Sequence, residues 1–230
     1  MVASEPASGA KRRDISALGN PETGIRAVLF DYGGVLSESP FEAFARYEAE
    51  MGLPEGFLRS LNASDHHANA WAQLERGEVS PTEFGALFES EARAAGHSVD
   101  AAAVLGLLGG APRPAMMAAV RRTRERYLVG LATNNFLSAR PAGAESGLDA
   151  VLDLFDTVIE SSRLGTRKPE LSFFAACCTQ LAIEAHEAVF IDDLGVNLKP
   201  ARQLGMTTIK FETEEQALAE LEAALHMSLR

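Results

Sequence analysis

A chain of 230 residues with 47% hydrophobic residues is long enough for one large domain, or for a core carrying a smaller inserted unit. Its 21 Lys and Arg against 32 Asp and Glu leave a formal charge of −11, which argues against a nucleic-acid or acidic-membrane surface but leaves room for a local basic pocket. No stretch is apolar for long enough to span a bilayer, the first twenty residues lack the apolar region of a secretory signal, and the two adjacent cysteines, Cys177 and Cys178, can build neither a disulfide framework nor a four-ligand zinc site. A cytoplasmic protein is expected.

Residues 1–24 mix Ser, Gly, Pro, Lys and Arg and read as a mobile tail, with Lys11, Arg12 and Arg13 as a solvated charge run. The apolar run Ala27-Val28-Leu29-Phe30 is too short for a helix core but sufficient for a buried strand, and it ends in Asp31. In an open parallel sheet, ligands bind in the crevice beyond the carboxyl ends of the strands, so Asp31 would point into such a crevice. Gly33 and Gly34 would let the backbone turn tightly or approach a ligand closely.

From about residue 40 to residue 110 the composition shifts to Ala, Glu, Leu and Phe without β-branched runs. Short helices are predicted over residues 41–51, 54–61, 68–76, 81–95 and 99–108, the fourth opened by Ser80 as N-cap, Pro81 at the first helical position and Glu83 at the third. This stretch reads as a helical insertion. Within it, His66, His67, Trp71 and Glu75 either face a site or divide between core packing for Trp71 and solvent for the histidines.

A helix over residues 113–126 leads into a second strand, 127–132, which ends in Thr133, Asn134 and Asn135. A third strand is predicted at 155–160, then a helix opened by Gly165-Thr166-Arg167-Lys168-Pro169-Glu170 and reaching about residue 183, with Leu171, Phe173 and Phe174 packing it on the sheet. A fourth strand at 188–191 ends in Asp192 and Asp193; a helix at 195–204, a strand at 207–211 and a terminal helix at 214–227 complete the chain. The alternation implies an α/β fold, a doubly wound parallel sheet with an inserted helical cap, without internal repeats. His97, His186 and His226 lack metal-ligand spacing and are expected at the surface.

Four strand-end or helix-start positions therefore converge: Asp31, Thr133 with Asn134, Lys168, and Asp192 with Asp193. Their order and context resemble the haloacid dehalogenase (HAD) superfamily, whose motifs run Asp-x-Asp-x-Thr/Val, a strand-end Thr or Ser, a Lys and a late acidic pair. The resemblance extends from Arg26 to Phe211 and implies a HAD-like core over residues 25–38 and 112–230, with residues 39–111 where the family carries a mobile cap. The run from Asp192 through Asn197 to Met206 is similar to the fourth motif of the phosphatase domain of bifunctional soluble epoxide hydrolases. Phe30-Asp31-Tyr32-Gly33-Gly34-Val35-Leu36 and Glu75-Arg76-Gly77-Glu78 point to the same branch.

The resemblance implies a role for each matching residue. Asp31 would be the nucleophile, forming an aspartyl phosphate that water hydrolyses. Mg²⁺ would be held by Asp31, the Gly33 carbonyl and Asp193, with Asp192 and Asn197 holding its waters or orienting Lys168. Thr133 would donate its hydroxyl to a phosphate oxygen, helped by N–H groups near Asn134, while Lys168 would offset the phosphate and Asp31 charges. The implied activity is that of a Mg²⁺-dependent phosphatase on a small phosphorylated metabolite, with neither nucleic acid nor membrane as partner, in a monomer or homodimer.

One departure stands out. Where most family phosphatases carry an Asp that protonates the leaving oxygen, this chain has Gly33, and a general acid is typically worth about 10²–10⁴ in rate. Three readings are open: a substrate needing little leaving-group help, a proton relay from the cap or a water, or a weak catalyst retained as a binding module. Dehalogenation of 2-haloacids is the rival chemistry, since halide leaves without a proton and no Mg²⁺ is required. The Asp192-Asp193 pair weighs against it, because adjacent carboxylates repel unless a cation is present.

Overall fold

The computed structural model describes residues 18–134 and 151–229. The charge run at Lys11 to Arg13, Asn135 and the expected tail up to residue 17 lie outside the described residues. Five strands form one parallel sheet: β1 (Ala27–Phe30), β2 (Leu128–Thr133), β3 (Thr157–Glu160), β4 (Ala188–Asp192) and β5 (Thr207–Lys210), in the order β3-β2-β1-β4-β5. The chain winds outward from β1 through β2 to β3, then returns to place β4 on the other side of β1. The crevice of such a sheet opens at that reversal, above β1 and β4.

Register brings the expected site together there. Phe30 lies opposite both Leu131 and Ile191, so Asp31, Thr133 and Asp192 emerge at one edge. Side chains alternate between faces along each strand, as the pleat requires. Val28, Phe30, Val129, Leu131 and Ile191 pack against α6 (Pro114–Arg124) and the terminal helix, while Leu29, Ala132, Ile159 and Phe190 pack on the opposite face. That opposite face is covered by Phe173, Phe174 and Cys177, from the helix before β4, and by Leu198 and Ala201 from the helix after it. The sheet is therefore doubly wound, as expected, and Cys177 serves as a small buried apolar residue.

Five helices lie between β1 and α6: α1 (Pro40–Met51), α2 (Phe57–Ala63), α3 (Ala70–Glu75), α4 (Pro81–Ala94) and α5 (Ala101–Gly106). They have a hydrophobic cluster of their own, in which the Trp71 ring sits 4.8 Å from Phe84 and 5.8 Å from Phe88. The capping box between Ser80 and Glu83 opens α4 as predicted. Glu48, buried on α1, accepts from the N–H groups of Gly56 and Leu58 at 2.8 Å each and so holds the start of α2. The chain leaves and re-enters the sheet layer side by side, where the Glu38 N–H donates to the Ala111 carbonyl at 3.0 Å and the Arg113 N–H to Leu36 at 2.8 Å.

After β3 come α7 (Ser161–Leu164) and α8 (Leu171–Leu181); α9 (Gly195–Gln203) follows β4 and α10 (Glu214–Leu225) ends the fold. The sequence reading differs from the structure in two places here. The helix expected to open at residue 165 begins only at Leu171, because Pro169 disfavours helical backbone at Lys168 and residues 165–170 form an irregular loop. Leu171, expected on the sheet, is 48% exposed: as the first residue of α8 it sits before the turn that carries Phe173 and Phe174 inward. Among the described residues no helix is long and apolar enough to cross a membrane.

Candidate active site

Asp31 leaves β1 in extended conformation, and its Oδ1 accepts from the Tyr32 N–H at 2.7 Å. The same oxygen lies 2.8 Å from Lys168 Nζ, which also lies 2.8 Å from Asp192 Oδ2. Lys168 and Asp192 are almost fully buried, so the lysine is a bridge between two strand ends. Asp192 is held in turn by the Asn197 amide, 3.0 and 3.1 Å from its two oxygens, and by the Leu194 N–H at 2.8 Å. Asp192 thus touches the Lys168 ammonium itself, whereas Asn197 reaches it only through Asp192.

Asn134 grips the backbone of the loop that carries the lysine. Its Oδ1 accepts from the Lys168 N–H at 2.8 Å, and its Nδ2 donates to the Lys168 carbonyl at 2.9 Å. Nδ2 also lies 3.1 Å from Glu75 Oε2 at the end of α3. The side chain of Asn134 is therefore committed, and any contribution to an anion would come from its backbone. Thr133, the last residue of β2, is buried and, with Asp31, Asn134 and Lys168, borders a cavity above the strand ends.

The two glycines after Asp31 differ. Gly34 has φ of 81° and its Cα faces the Asp193 carboxylate, so both its backbone and its surroundings exclude a side chain. Gly33 has φ of −68° and ψ of 127°, and a β-carbon there would meet only Pro40 Cδ at 3.7 Å. The expectation that Gly33 supplies backbone freedom is thus corrected: an ordinary L-residue fits its conformation.

Asp31, Asp192 and Asp193 each offer an oxygen within 4.8 Å of the others. One ammonium faces three carboxylates, and the imbalance shows in their acidities. Burial pushes Asp31 up to about 8 against the pull of Lys168, and burial with the neighbouring Asp192 charge pushes Asp193 up to about 6. Burial alone would discharge Lys168, but Asp192 and Asp31 outweigh it and hold the ammonium above its ordinary range. An oxygen-only donor set with surplus negative charge fits a hard divalent cation.

Above this floor is a cavity of about 160 Å³. Its helical wall is made of Phe41, Phe44, Trp71 and Leu108, with Asn62 and Glu75 as polar members. Trp71 thus packs in the helical core and borders the cavity, whereas His66 and His67 are exposed. Glu75 Oε2 forms an ion pair with Arg167 Nη1 at 2.5 Å, and its neighbour Arg76 pairs with Glu170 at 3.5 Å. Arg167 was missed by sequence reasoning. Nothing in the run Thr166-Arg167-Lys168 separates a buried arginine from a solvated one; a partner 92 residues away makes the difference.

A doubly wound parallel α/β sheet that gathers three carboxylates and a lysine at its switch point, beneath a layer of helices, defines the class of α/β protein to which the chain belongs. The profile of the haloacid dehalogenase-like hydrolases matches residues 25–205, and the chain belongs to this family of hydrolases. It is 34% identical over 213 residues to Acyl-CoA dehydrogenase family member 10 of Mus musculus, covering 89% of this chain and 19% of that protein. Bifunctional epoxide hydrolase 2 of Sus scrofa is 29% identical over 222 residues, covering 89% and 40%, which upholds the resemblance to that branch. The chain spans less than half the length of these two relatives. Sesquiterpene phosphatase astK of Aspergillus oryzae is 28% identical over 185 residues, covering 80% of this chain and 88% of that protein. Among solved structures, a HAD family enzyme from Bacteroides thetaiotaomicron in complex with magnesium and inorganic phosphate superposes with a TM-score of 0.57 at 25% identity, covering 81% of this chain and 93% of that one.

Proposed function

We propose that the protein is a Mg²⁺-dependent, cytoplasmic phosphatase acting on a small phosphorylated metabolite, with residues 25–38 and 112–230 as its core and residues 39–111 as a cap. The observation that carries this reading is the ratio of three buried or half-buried carboxylates to one lysine at the sheet's switch point. A dehalogenase attacking through Asp31 would gain nothing from Asp193 and would bear the repulsion. The Bacteroides thetaiotaomicron relative with magnesium and phosphate, and the relative named a phosphatase, support the same choice.

Asp31 attacks phosphorus and forms an aspartyl phosphate, with its carboxylate oriented by Lys168 and the Tyr32 N–H. Asp31, the Gly33 carbonyl and Asp193 would hold Mg²⁺, which when bound neutralises charge on the phosphate oxygens. The Thr133 hydroxyl and the backbone beside Asn134 bind phosphate oxygens, and Lys168 offsets the charge of the phosphate and Asp31 together. Asp192, fixed by Asn197, keeps the lysine in place. The cap wall offers four large apolar side chains and few polar partners, which favours an alcohol with a compact apolar skeleton over a polyhydroxylated sugar.

The test is phosphate release from a panel of alkyl, aryl, acyl and sugar phosphates with and without Mg²⁺, beside Asp31→Asn. Mg²⁺-dependent release that disappears in Asp31→Asn supports the reading. No release from any of them, together with chloride release from 2-chloroacids, would replace it with dehalogenation.

A further inference from the structure

Gly33 raises a question that the phosphatase reading alone leaves open: where the proton for the leaving oxygen comes from. The position is not closed to an acid by its backbone, since φ and ψ are ordinary and a β-carbon has room. The chain therefore dispenses with an acid there without a conformational reason, and another group bordering the cavity would have to take the task.

On the cap side of the cavity, one side chain can donate and accept protons near neutral pH. Glu75 ends α3, is 14% exposed, and borders the same cavity as Asp31. Its Oε2 is pinned by Arg167 Nη1 and by Asn134 Nδ2. Oε1 has no hydrogen-bond partner among the described residues. One oxygen is thus anchored to the core, and the residue that carries the other borders the cavity together with Thr133.

We propose that Glu75 is the proton donor and acceptor of this enzyme, supplied by the cap in place of the missing acid at residue 33; the inference rests on the phosphatase reading above. In the first half-reaction an Asp31 oxygen bonds to phosphorus, the bond from phosphorus to the leaving oxygen breaks, and that oxygen takes the proton of the Glu75 carboxyl. The resulting carboxylate is stabilised by Arg167 and Asn134 where it stands. In the second, Glu75 takes a proton from water as the water oxygen bonds to phosphorus. The bond from phosphorus to Asp31 breaks, phosphate is released, and Glu75 is again protonated.

The charges around Glu75 suit such a cycle. Burial raises its carboxyl from the ordinary 4.5 to about 7, while Arg167, Lys168 and Arg76 and the Asn134 hydrogen bond pull it down. A group poised there holds a proton for part of the population at neutral pH and gives it up without a large penalty. Because Arg167 and Asn134 belong to the core and Glu75 to the cap, the donor is in position only when cap and core meet.

The experiment compares the wild type with Glu75→Gln on butyl phosphate and on 4-nitrophenyl phosphate, both with Mg²⁺. Nitrophenolate leaves without a proton and butoxide does not, so loss of an acid shows only on the poor leaving group. The expected result is a fall in kcat/KM of about 10²-fold or more on butyl phosphate and of less than about threefold on 4-nitrophenyl phosphate. The alkaline limb of the wild-type pH profile should disappear in the variant. Gly33→Asp added to Glu75→Gln should restore butyl phosphate turnover. A role confined to holding the cap would lower both substrates equally and overturn the proposal, as would an unchanged rate on both. If Glu75→Gln does not fold, Gly33→Asp alone decides: a gain below about threefold on butyl phosphate agrees with an acid already present, and a gain near 10²-fold contradicts it. A wild type that releases no phosphate from either ester removes the phosphatase reading and this inference together, whereas release with identical losses removes only the inference.

Discussion

The Asp193 carboxylate occupies the space that a β-carbon on Gly34 would need, 2.6 Å from Asp193 Cγ by ideal geometry. The turn after Asp31 and the loop after β4 are thus fitted to one another without a side chain between them. Gly34→Ala should displace Asp193 and strain the left-handed backbone, costing about 1–2 kcal/mol and lowering Mg²⁺ affinity at least about tenfold. Gly33→Ala, one residue earlier, should change neither by more than about 0.5 kcal/mol. Isothermal titration with Mg²⁺ and urea unfolding measure both; equal effects at the two positions would show that the contact with Asp193 is unimportant.

Lys168 is the single ammonium between Asp31 and Asp192. Lys168→Met keeps most of the volume and leaves both carboxylates buried without their partner, a change that typically costs about 3–5 kcal/mol. Chemical denaturation should show a loss of that order, along with loss of turnover. A variant as stable as the wild type would mean that the carboxylates find relief elsewhere.

Glu75 makes stability depend on pH in a definite direction. Its carboxyl is raised by burial from 4.5 to about 7, so the fold favours the protonated form. A group of this kind contributes stability that is fully present below its unfolded value and is lost as the pH rises through its folded value. Glu75→Gln, which imitates the protonated side chain, should therefore gain stability relative to the wild type between about pH 4.5 and pH 7. Thermal unfolding of both proteins across that range reads the difference, and a gap that shrinks with rising pH would contradict the assignment.

Glu48 on α1 holds the start of α2 through the N–H groups of Gly56 and Leu58. Glu48→Ala leaves both donors at the start of α2 without that carboxylate, and an unsatisfied buried group costs about 1–3 kcal/mol. Hydrogen exchange at Leu58 should accelerate while exchange in β1 and β4 stays unchanged. Uniform acceleration across the chain would instead show that the helices of residues 40–106 and the sheet open as one unit.

Much of this architecture was legible along the chain because its signals are local. Apolar runs of four to six residues must be buried, and a carboxylate or hydroxyl at the end of such a run marks the edge where the sheet opens. Asp31, Thr133, Asp192 and Asp193 could be singled out in that way. Ser80, Pro81 and Glu83 likewise marked the start of α4 through bonds that span a single turn. The exposure of Leu171 was not legible, because which residue of α8 first reaches the sheet depends on the loop that Pro169 imposes.

By itself, then, the sequence determined the parallel α/β sheet, the helical layer after β1 and the residue types at each strand end, since these follow from burial and backbone preference within short windows. Only the tertiary structure decided that Lys168 bridges Asp31 and Asp192, that Asn134 clamps the lysine's backbone, and that Glu75 pairs with Arg167. Those partners lie 24 to 137 positions apart, and contacts at such separations arise from how the packed layers close over one another, which no local pattern of residues encodes.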